Sequence, residues 1–234
     1  MSDLLEVLRL LSTAQKSARG VSVYSQFVNR PAGRLLAALA YRVGATPNQV
    51  TAVGALFTFP ALLAVALVRP GTAMGFCVFA ALATGFALDS ADGQLARSRR
   101  SGSISGEWLD HVLDCIKTVS IHSVVLISFY RFFDLPDPRF LLAPMAFQLV
   151  AVVVFFAGIL REQLRPRTDQ AAVPMTRRSV LRSLLLLPVD YGMVCVIFLF
   201  LGSQDLFLGL YCALLAAHVL FMAAFLVKSF RELS

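Results

Sequence analysis

The amino-acid sequence predicts an all-α polytopic membrane protein. The chain has 234 residues, of which 58% are hydrophobic and 15% are charged, whereas soluble domains are about 25% charged. Apolar runs of roughly 20 residues, the length that crosses a bilayer, predict six transmembrane helices. We place these six spans at 49–69, 72–97, 105–132, 139–161, 182–202 and 205–228.

Two weaker segments, 3–12 and 31–43, precede the first span and predict amphipathic helices at the membrane surface. Each segment places apolar side chains on one helical face. The residues concerned are Leu4, Leu5, Leu8 and Leu11 in the first segment and Leu35, Leu36, Leu39 and Val43 in the second. We therefore divide the chain into a juxtamembrane segment, 1–47, and a six-span membrane domain, 48–234.

The distribution of Lys and Arg predicts the orientation. Six of these residues precede the first span and six lie in the 161–182 connection, whereas the opposite side holds only Arg69, Arg131 and Arg139. Because cytoplasmic loops are rich in Lys and Arg, we expect both termini and the 97–104 connection to be cytoplasmic. The net charge of +7 then reflects orientation and contact with anionic lipid, and we expect no nucleic-acid partner.

An ordered set of acidic residues joins the second and third predicted spans. It reads Asp89-x-x-Asp92-Gly93-x-x-Ala96-Arg97, then eight residues, then Gly106-x-x-x-Asp110-x-x-x-Asp114. The spacing puts the two earlier aspartates on one helical face and the two later aspartates on one face of the next helix. Because a short turn joins these helices, we expect them to be antiparallel neighbours with converging acidic faces.

Four carboxylates beside a bilayer need compensation, since each costs several kcal/mol unless it is paired, hydrated or bound to a cation. Converging carboxylate oxygens could hold one or two hard cations such as Mg²⁺ or Mn²⁺. Gly93 and Ala96 leave room for a phosphate-bearing ligand, and Arg97 offers a planar cation to its oxygens. The competing interpretation is a set of salt bridges to nearby arginines.

This pattern resembles the signature of the CDP-alcohol phosphatidyltransferase family, D-x-x-D-G-x-x-A-R-(x)8-G-x-x-x-D-x-x-x-D, at every specified position. The entry to the first span, Thr46-Pro47-Asn48-Gln49-Val50-Thr51, is similar to a P-N-x-hydrophobic-T run found in many members. The resemblance implies six spans and an enzyme that moves a phosphate-linked alcohol from a CDP-alcohol to an acceptor hydroxyl, with release of CMP.

The resemblance also implies roles for individual residues. Asp89, Asp92 and Asp110 would be ligands of two Mg²⁺ or Mn²⁺ ions, and Asp114 would be the catalytic base and a further metal ligand. The CDP moiety would contact Asp89, Asp92, Gly93, Ala96, Arg97, Gly106, Asn48 and Thr51. Similar proteins are commonly homodimers, so we expect a homodimer in the cytoplasmic membrane with its active site on the cytoplasmic side.

The sequence favours CDP-diacylglycerol as the donor and an inositol phosphate or another polyol phosphate as the acceptor, in phospholipid biosynthesis. The basic group at spans four and five suggests the acceptor site, with Arg161 and Arg182 as candidates. Lys117 could bind the acceptor phosphate or neutralise Asp114. The run from Gly106 to His111, however, looks closer to the G-E-x-x-D-H of members that transfer from CDP-choline or CDP-ethanolamine to diacylglycerol.

Intramembrane acids also occur in divalent-cation channels and transporters. A conduction path needs polar residues across the whole membrane, whereas these acids cluster at one edge and spans one, four and six are almost wholly apolar. The pattern therefore favours the enzyme over a channel, and over a non-catalytic scaffold, which has no need of the two later aspartates.

One further acid, Asp190, lies within the predicted fifth span, two residues after Pro188. Proline frees a backbone carbonyl and can kink a span toward a cavity. Asp190 could face the same polar chamber or pair with a basic residue at a helix end, and the sequence leaves both open.

Overall fold

The computed structural model describes residues 4–13, 21–99, 102–164, 183–184 and 186–234. These residues are almost entirely helical and contain no β-strand, which confirms the all-α fold. Five helices within these ranges are long and apolar enough to cross a membrane. The protein is therefore an integral membrane protein.

Two helices come before the long ones: α1 (Leu4–Thr13) and α2 (Arg30–Arg42), the second entered through a π-helical turn, Ser25–Asn29. The long helices are α3 (Pro47–Leu67), α4 (Thr72–Arg99), α5 (Ile104–Phe132), α6 (Leu142–Leu164) and α8 (Gln204–Leu233). A 3₁₀ turn, Pro138–Leu141, leads into α6. The short helix α7 (Tyr191–Ile197) lies between the 3₁₀ turns Leu187–Val189 and Phe198–Phe200.

Five of the six predicted spans coincide in position with long helices, namely 49–69, 72–97, 105–132, 139–161 and 205–228. The remaining one, 182–202, is not a continuous helix where the structure describes it, since two 3₁₀ turns flank α7 there. Pro188 lacks a donor N–H, and Asp190 has extended backbone angles that separate the first turn from α7. The 165–182 connection lies outside the described residues.

Glycines allow α3 and α4 to pack closely. A Cβ atom added to Gly85 of α4 would overlap the Thr58 hydroxyl of α3 and lie 3.2 Å from the Gly54 carbonyl oxygen. A Cβ atom added to Gly54 would in turn lie 3.3 Å from the Cβ of Leu88. This close approach sets the first turns of α3 against the acidic part of α4.

Helix α2 packs on the C-terminal half of α4. A Cβ atom added to Gly33 would lie 2.8 Å from the Cβ of Ser90, and Gln94 Nε2 donates a hydrogen bond of 3.2 Å to the first carbonyl of α2. Beyond the end of α2, Arg99 Nη1 donates a hydrogen bond of 2.6 Å to the Ala45 carbonyl. These contacts fasten the juxtamembrane segment to the helix that carries Asp89 and Asp92.

The two segments predicted to be amphipathic, 3–12 and 31–43, form α1 and α2. One face of the pair packs into a small apolar cluster with α3 and α4. The members that are buried in this cluster are Val7, Leu11, Ala37, Ala38, Val50, Ala91 and Leu95. The opposite face of α2 exposes Leu35, Leu39 and Val43, as expected for a helix at a membrane surface.

The main apolar core is formed by buried side chains of the six helices α3, α4, α5, α6, α7 and α8. His122 of α5 lies within it, and its Nδ1 is 2.7 Å from the Tyr211 hydroxyl of α8. Nδ1 of His218 is 2.8 Å from the Leu214 carbonyl oxygen within the same helix. Both histidines are buried and are therefore core residues.

Candidate active site

The acidic residues lie in the C-terminal half of α4 and near the start of α5. The connection between these helices is short, and Ser103 begins α5 by accepting a hydrogen bond of 3.0 Å from the Gly106 N–H. Such N-caps satisfy one of the unpaired N–H groups of a helix start. Both helices pack against α3.

Three of the four aspartates converge. One carboxylate oxygen each from Asp89, Asp110 and Asp114 lies within 4.8 Å of the other two. Carboxylate oxygens are the donors that hard divalent cations such as Mg²⁺ and Mn²⁺ prefer. All three side chains are partly exposed, so an ion could reach them, and this donor set fits a divalent cation.

Asp92 lies outside that group of three. It is 6% exposed, and its Oδ2 accepts a hydrogen bond of 2.6 Å from the Thr51 hydroxyl of α3. Thr51 was expected near the CDP moiety, and the structure places it directly against one of the four signature carboxylates.

Lys117 forms ion pairs with two of the three converging carboxylates. Its Nζ lies 2.5 Å from Asp114 Oδ1, one helical turn earlier in α5, and 3.4 Å from Asp89 Oδ1 of α4. The Lys117 side chain is only 14% exposed. The sequence left open whether Lys117 binds the acceptor phosphate or pairs with Asp114, and the structure contains the contact with Asp114.

Two adjoining cavities border the carboxylates. A small pocket of about 30 Å³ is bordered by Asp89, Asp114 and Lys117, and a large cavity of about 1250 Å³ is bordered by Asp110. Asp92 and Thr51 border both. A molecule much larger than an ion can therefore lie in the large cavity beside the acidic group.

The wall of the large cavity holds most of the residues expected to contact the CDP moiety. They are Asn48, Thr51, Asp92, Gly93, Ala96, Arg97 and Gly106. Asp89, the remaining member of that prediction, borders the small pocket instead. His111 also borders the large cavity, and its Nε2 is 4.0 Å from Glu107 Oε1.

Gly93 leaves space for the side chain of Arg97. A Cβ atom added to Gly93 would lie 3.1 Å from Arg97 Nη1, so the guanidinium folds back along α4 over the glycine. The absence of a side chain at position 93 thus keeps a planar cation close to the acidic face.

Gly106 has a similar relation to Asn48. A Cβ atom added to Gly106 would lie 3.1 Å from Asn48 Oδ1, so the first turns of α3 and α5 come close at this point. Thr46 and Gln49 fix the start of α3 through reciprocal hydrogen bonds between side chains and backbone, a capping box. This box places Asn48 and Thr51 at the cavity wall.

Arg161, predicted to bind the acceptor, borders the large cavity from the end of α6. It forms an ion pair with Glu232 near the end of α8, and Glu232 also lies 3.6 Å from Lys228. Arg182, the other predicted acceptor residue, lies outside the described residues.

Two residues near the site escaped the sequence analysis. The ring of Tyr191, at the start of α7, has its centroid 5.1 Å from Lys117 Nζ, and Glu232 pairs with Arg161. The sequence analysis singled out the neighbouring acid Asp190 but not Tyr191. Nothing in the sequence indicated Glu232, because its partner is far away along the chain.

Fold and site together define an integral membrane protein with a carboxylate site at the ends of its apolar helices. Residues 44–228 match the model of the CDP-alcohol phosphatidyltransferase family. The match covers most of the chain, and the protein belongs to this family. It is therefore a membrane transferase of phospholipid biosynthesis whose substrates are a CDP-alcohol and an alcohol acceptor.

The family is generally dependent on a divalent metal, which agrees with the donor set formed by Asp89, Asp110 and Asp114. A comparison with curated proteins gives no match.

Proposed function

We propose that this protein transfers a phosphatidyl group from CDP-diacylglycerol to a hydroxyl of a phosphorylated polyol, such as an inositol phosphate, and releases CMP. The observation that carries the proposal is the convergence of Asp89, Asp110 and Asp114 beside a cavity of about 1250 Å³. A diphosphate cannot approach bare carboxylates, so this arrangement suits a nucleotide diphosphate that arrives with divalent cations.

We assign Asp89, Asp92 and Asp110 as metal ligands, with Asp114 as catalytic base and further ligand. When bound, Mg²⁺ or Mn²⁺, two ions in this proposal, would neutralise the diphosphate and stabilise the departing CMP. Thr51 orients Asp92 by donating to Oδ2, which leaves Oδ1 as the oxygen we assign to binding.

Asp114 acts on the acceptor in this proposal. We assign the removal of the acceptor's proton to this carboxylate, whose Oδ1 contacts Lys117 at 2.5 Å in the present structure. The acceptor oxygen forms a bond to the β-phosphorus while the bond from that phosphorus to the bridging oxygen breaks. CMP leaves with the electron pair of the broken bond, in an in-line displacement.

The CDP moiety occupies the wall of the large cavity that Asn48, Thr51, Gly93, Ala96 and Gly106 form. Arg97 supplies a guanidinium for phosphate oxygens, a geometry that suits bidentate contacts. The residues at positions 93, 96 and 106 have small side chains or none, so the nucleotide can approach the backbone of this wall.

The acceptor's phosphate binds at the other side of the same cavity in this proposal. Arg161 borders it there, and Glu232 holds its guanidinium at the end of α6. We assign Arg182 to the same site because it is the first residue of the predicted fifth span, 182–202. Lys117, the third candidate, is engaged with Asp89 and Asp114 and would contact an acceptor only at the carboxylate side.

We further propose that the protein lies in the cytoplasmic membrane, with both termini and the active site on the cytoplasmic side. The excess of Lys and Arg in the connections on that side supports this orientation. A homodimer is proposed by analogy with similar proteins.

The test is an assay of the full-length protein purified in detergent with Mg²⁺ or Mn²⁺. CDP-diacylglycerol is supplied with inositol phosphate, glycerol phosphate, inositol or no acceptor, and CMP release is measured. We expect release that depends on both the metal and a phosphorylated polyol. Absence of acceptor-dependent release with every polyol phosphate would remove this assignment.

A second candidate reaction transfers the head group of CDP-choline or CDP-ethanolamine to diacylglycerol. It is favoured by the G-E-x-x-D-H run, in which Glu107 and His111 both border the large cavity. The same assay with CDP-choline or CDP-ethanolamine and diacylglycerol separates the candidates. If CMP is released only with these substrates, the lipid is the acceptor and the CDP-linked head group is the donor.

A further inference from the structure

The converging carboxylates already have a cationic partner in the chain itself. Lys117 Nζ contacts Asp114 at 2.5 Å and Asp89 at 3.4 Å, and thus bridges α5 and α4. Its side chain is 14% exposed, and those of the two aspartates are 27% and 30% exposed. In such a partly buried place an ion pair is screened much less than at the surface.

The ammonium group contacts two of the three carboxylates that would bind a metal. Asp89 and Asp114 belong to the group whose oxygens lie within 4.8 Å of one another. A divalent cation held by these oxygens would lie a few Å from a like charge, and the two repel strongly where water is scarce. Metal binding and the present position of Lys117 therefore oppose each other.

The ammonium has an aromatic neighbour as well as the two carboxylates in its present position. The centroid of the Tyr191 ring lies 5.1 Å from Lys117 Nζ, and an aromatic face attracts a cation within about 6 Å. Phe86 supports this ring in an edge-to-face contact with a centroid distance of 5.0 Å. Because lysine carries a compact charge on a flexible four-carbon stem, a small rotation would move it from the carboxylates toward the ring.

We propose that Lys117 is a resident counter-ion that a divalent cation must displace from Asp89 and Asp114 toward Tyr191. Lys117 then sets the metal concentration at which the site fills, and it holds the two carboxylates together before metal arrives. This inference rests on the metal site of the proposed function and adds the residue that competes for that site.

The test measures the affinity of the purified full-length protein for Mn²⁺ alone, from the electron paramagnetic resonance signal of free Mn²⁺. Lys117→Met removes the charge and keeps an apolar stem of similar length. We expect its Kd for Mn²⁺ to fall about tenfold. Lys117→Arg keeps the charge and should bind Mn²⁺ much less tightly than Lys117→Met.

Lys228→Met is the matched control, because Lys228 also pairs with a carboxylate, at 3.6 Å, but is 54% exposed and lies on α8, which carries none of the three converging aspartates. Its Mn²⁺ affinity should equal that of the native protein. An unchanged or weaker Mn²⁺ affinity of Lys117→Met would overturn the inference, and so would equal affinities of the Met and Arg variants.

Thermal unfolding provides a second measurement in case the Lys117→Met variant is unstable without metal. Its melting temperature should rise more on addition of Mn²⁺ than that of the native protein, since metal relieves unpaired carboxylates. An equal or smaller rise counts against the inference. Asp89→Asn separates the two proposals. If this variant binds Mn²⁺ as tightly as the native protein does, the proposed metal site is wrong. If Asp89→Asn loses Mn²⁺ binding but Lys117→Met binds Mn²⁺ no more tightly than the native protein, only this inference is wrong.

Discussion

Asp89 and Asp92 lie about one helical turn apart on α4, yet their carboxylates have different surroundings. Asp89 is 3.4 Å from Lys117 and joins Asp110 and Asp114. Asp92 is nearly buried and held by the Thr51 hydroxyl. Spacing along one helix places both residues on one face, but the neighbouring helices decide which partner each receives.

The role assigned to Asp114 can be tested by Asp114→Asn. An amide cannot take up the acceptor's proton, so turnover should fall by about 10²- to 10⁴-fold. Binding of CDP-diacylglycerol should survive in part, because Asp89, Asp92 and Asp110 remain. The measurements are CMP release and nucleotide binding, and Asp205→Asn, an exposed acid at the start of α8, is the control. CMP release near the native rate in Asp114→Asn would refute the base assignment.

At the scale of elements, the break in the predicted fifth span has a definite structure. Asp190 begins α7, and its Oδ1 accepts a hydrogen bond of 2.7 Å from the Gly192 N–H. Its Oδ2 accepts from the Ser22 hydroxyl and, at 2.6 Å, from the Ser25 hydroxyl. Asp190 therefore fastens the segment before α2 to the start of α7, and its partners here are two serine hydroxyls and a backbone N–H instead of a basic residue.

We expect Asp190→Ala to destabilise the protein by about 2 kcal/mol, because it removes an N-cap and leaves two serine hydroxyls without their acceptor. Thermal unfolding in detergent measures the effect. Ser203→Ala is the matched control, since Ser203 begins α8 without a side-chain cap. Equal melting temperatures of the two variants would show that the cap and the serine contacts contribute little.

The close packing of α3 against α4 is a second feature at the scale of elements, and Gly85→Ala tests its contribution to stability. The new methyl group would overlap the Thr58 hydroxyl and approach the Gly54 carbonyl oxygen, so we expect a loss of about 1–3 kcal/mol. CMP release should also fall, because Thr51 and Asp92 meet across the same interface.

Gly209→Ala in α8 is the control for Gly85→Ala, since a Cβ atom there meets nothing within 4 Å. Removing glycine from a helix interior should stabilise the protein by up to about 1 kcal/mol. The packing argument fails if Gly85→Ala unfolds at the same temperature as Gly209→Ala or above it.

At the scale of the whole molecule, the acidic group lies at one end of the long helices that form the main apolar core. The large cavity is bordered by the starts of α3 and α5 and the ends of α4, α6 and α8. These are the ends that the distribution of Lys and Arg predicts to be cytoplasmic. The proposed orientation therefore gives the site access to soluble nucleotides and phosphorylated acceptors.

The orientation can be measured by labelling single introduced cysteines with a membrane-impermeant maleimide. Gly102→Cys, between α4 and α5, should be labelled only after the cells are permeabilised. Asp137→Cys, between α5 and α6, should be labelled in intact cells. The background is the chain with its four native cysteines replaced by alanine, and labelling of position 102 in intact cells would contradict the proposed orientation.

Much of the site was predictable because its pattern is local. Asp89 to Asp114 span two helices and one turn, so spacing alone assigns each residue to a face. The five long helices of the described residues follow from apolar length alone. The sequence also raised the pairing of Lys117 with Asp114, since residues three apart on a helix are neighbours.

By itself, the sequence determined the all-α membrane fold, the position of five long helices and the family to which the chain belongs. Only the tertiary structure decided which carboxylates converge, that Asp190 receives two serines, and that Arg161 meets Glu232. The physical reason is that helical periodicity and hydrophobicity act along the chain over short distances. Side-chain partners on different helices depend on how closely those helices approach each other, and Gly33, Gly54 and Gly85 permit this close approach.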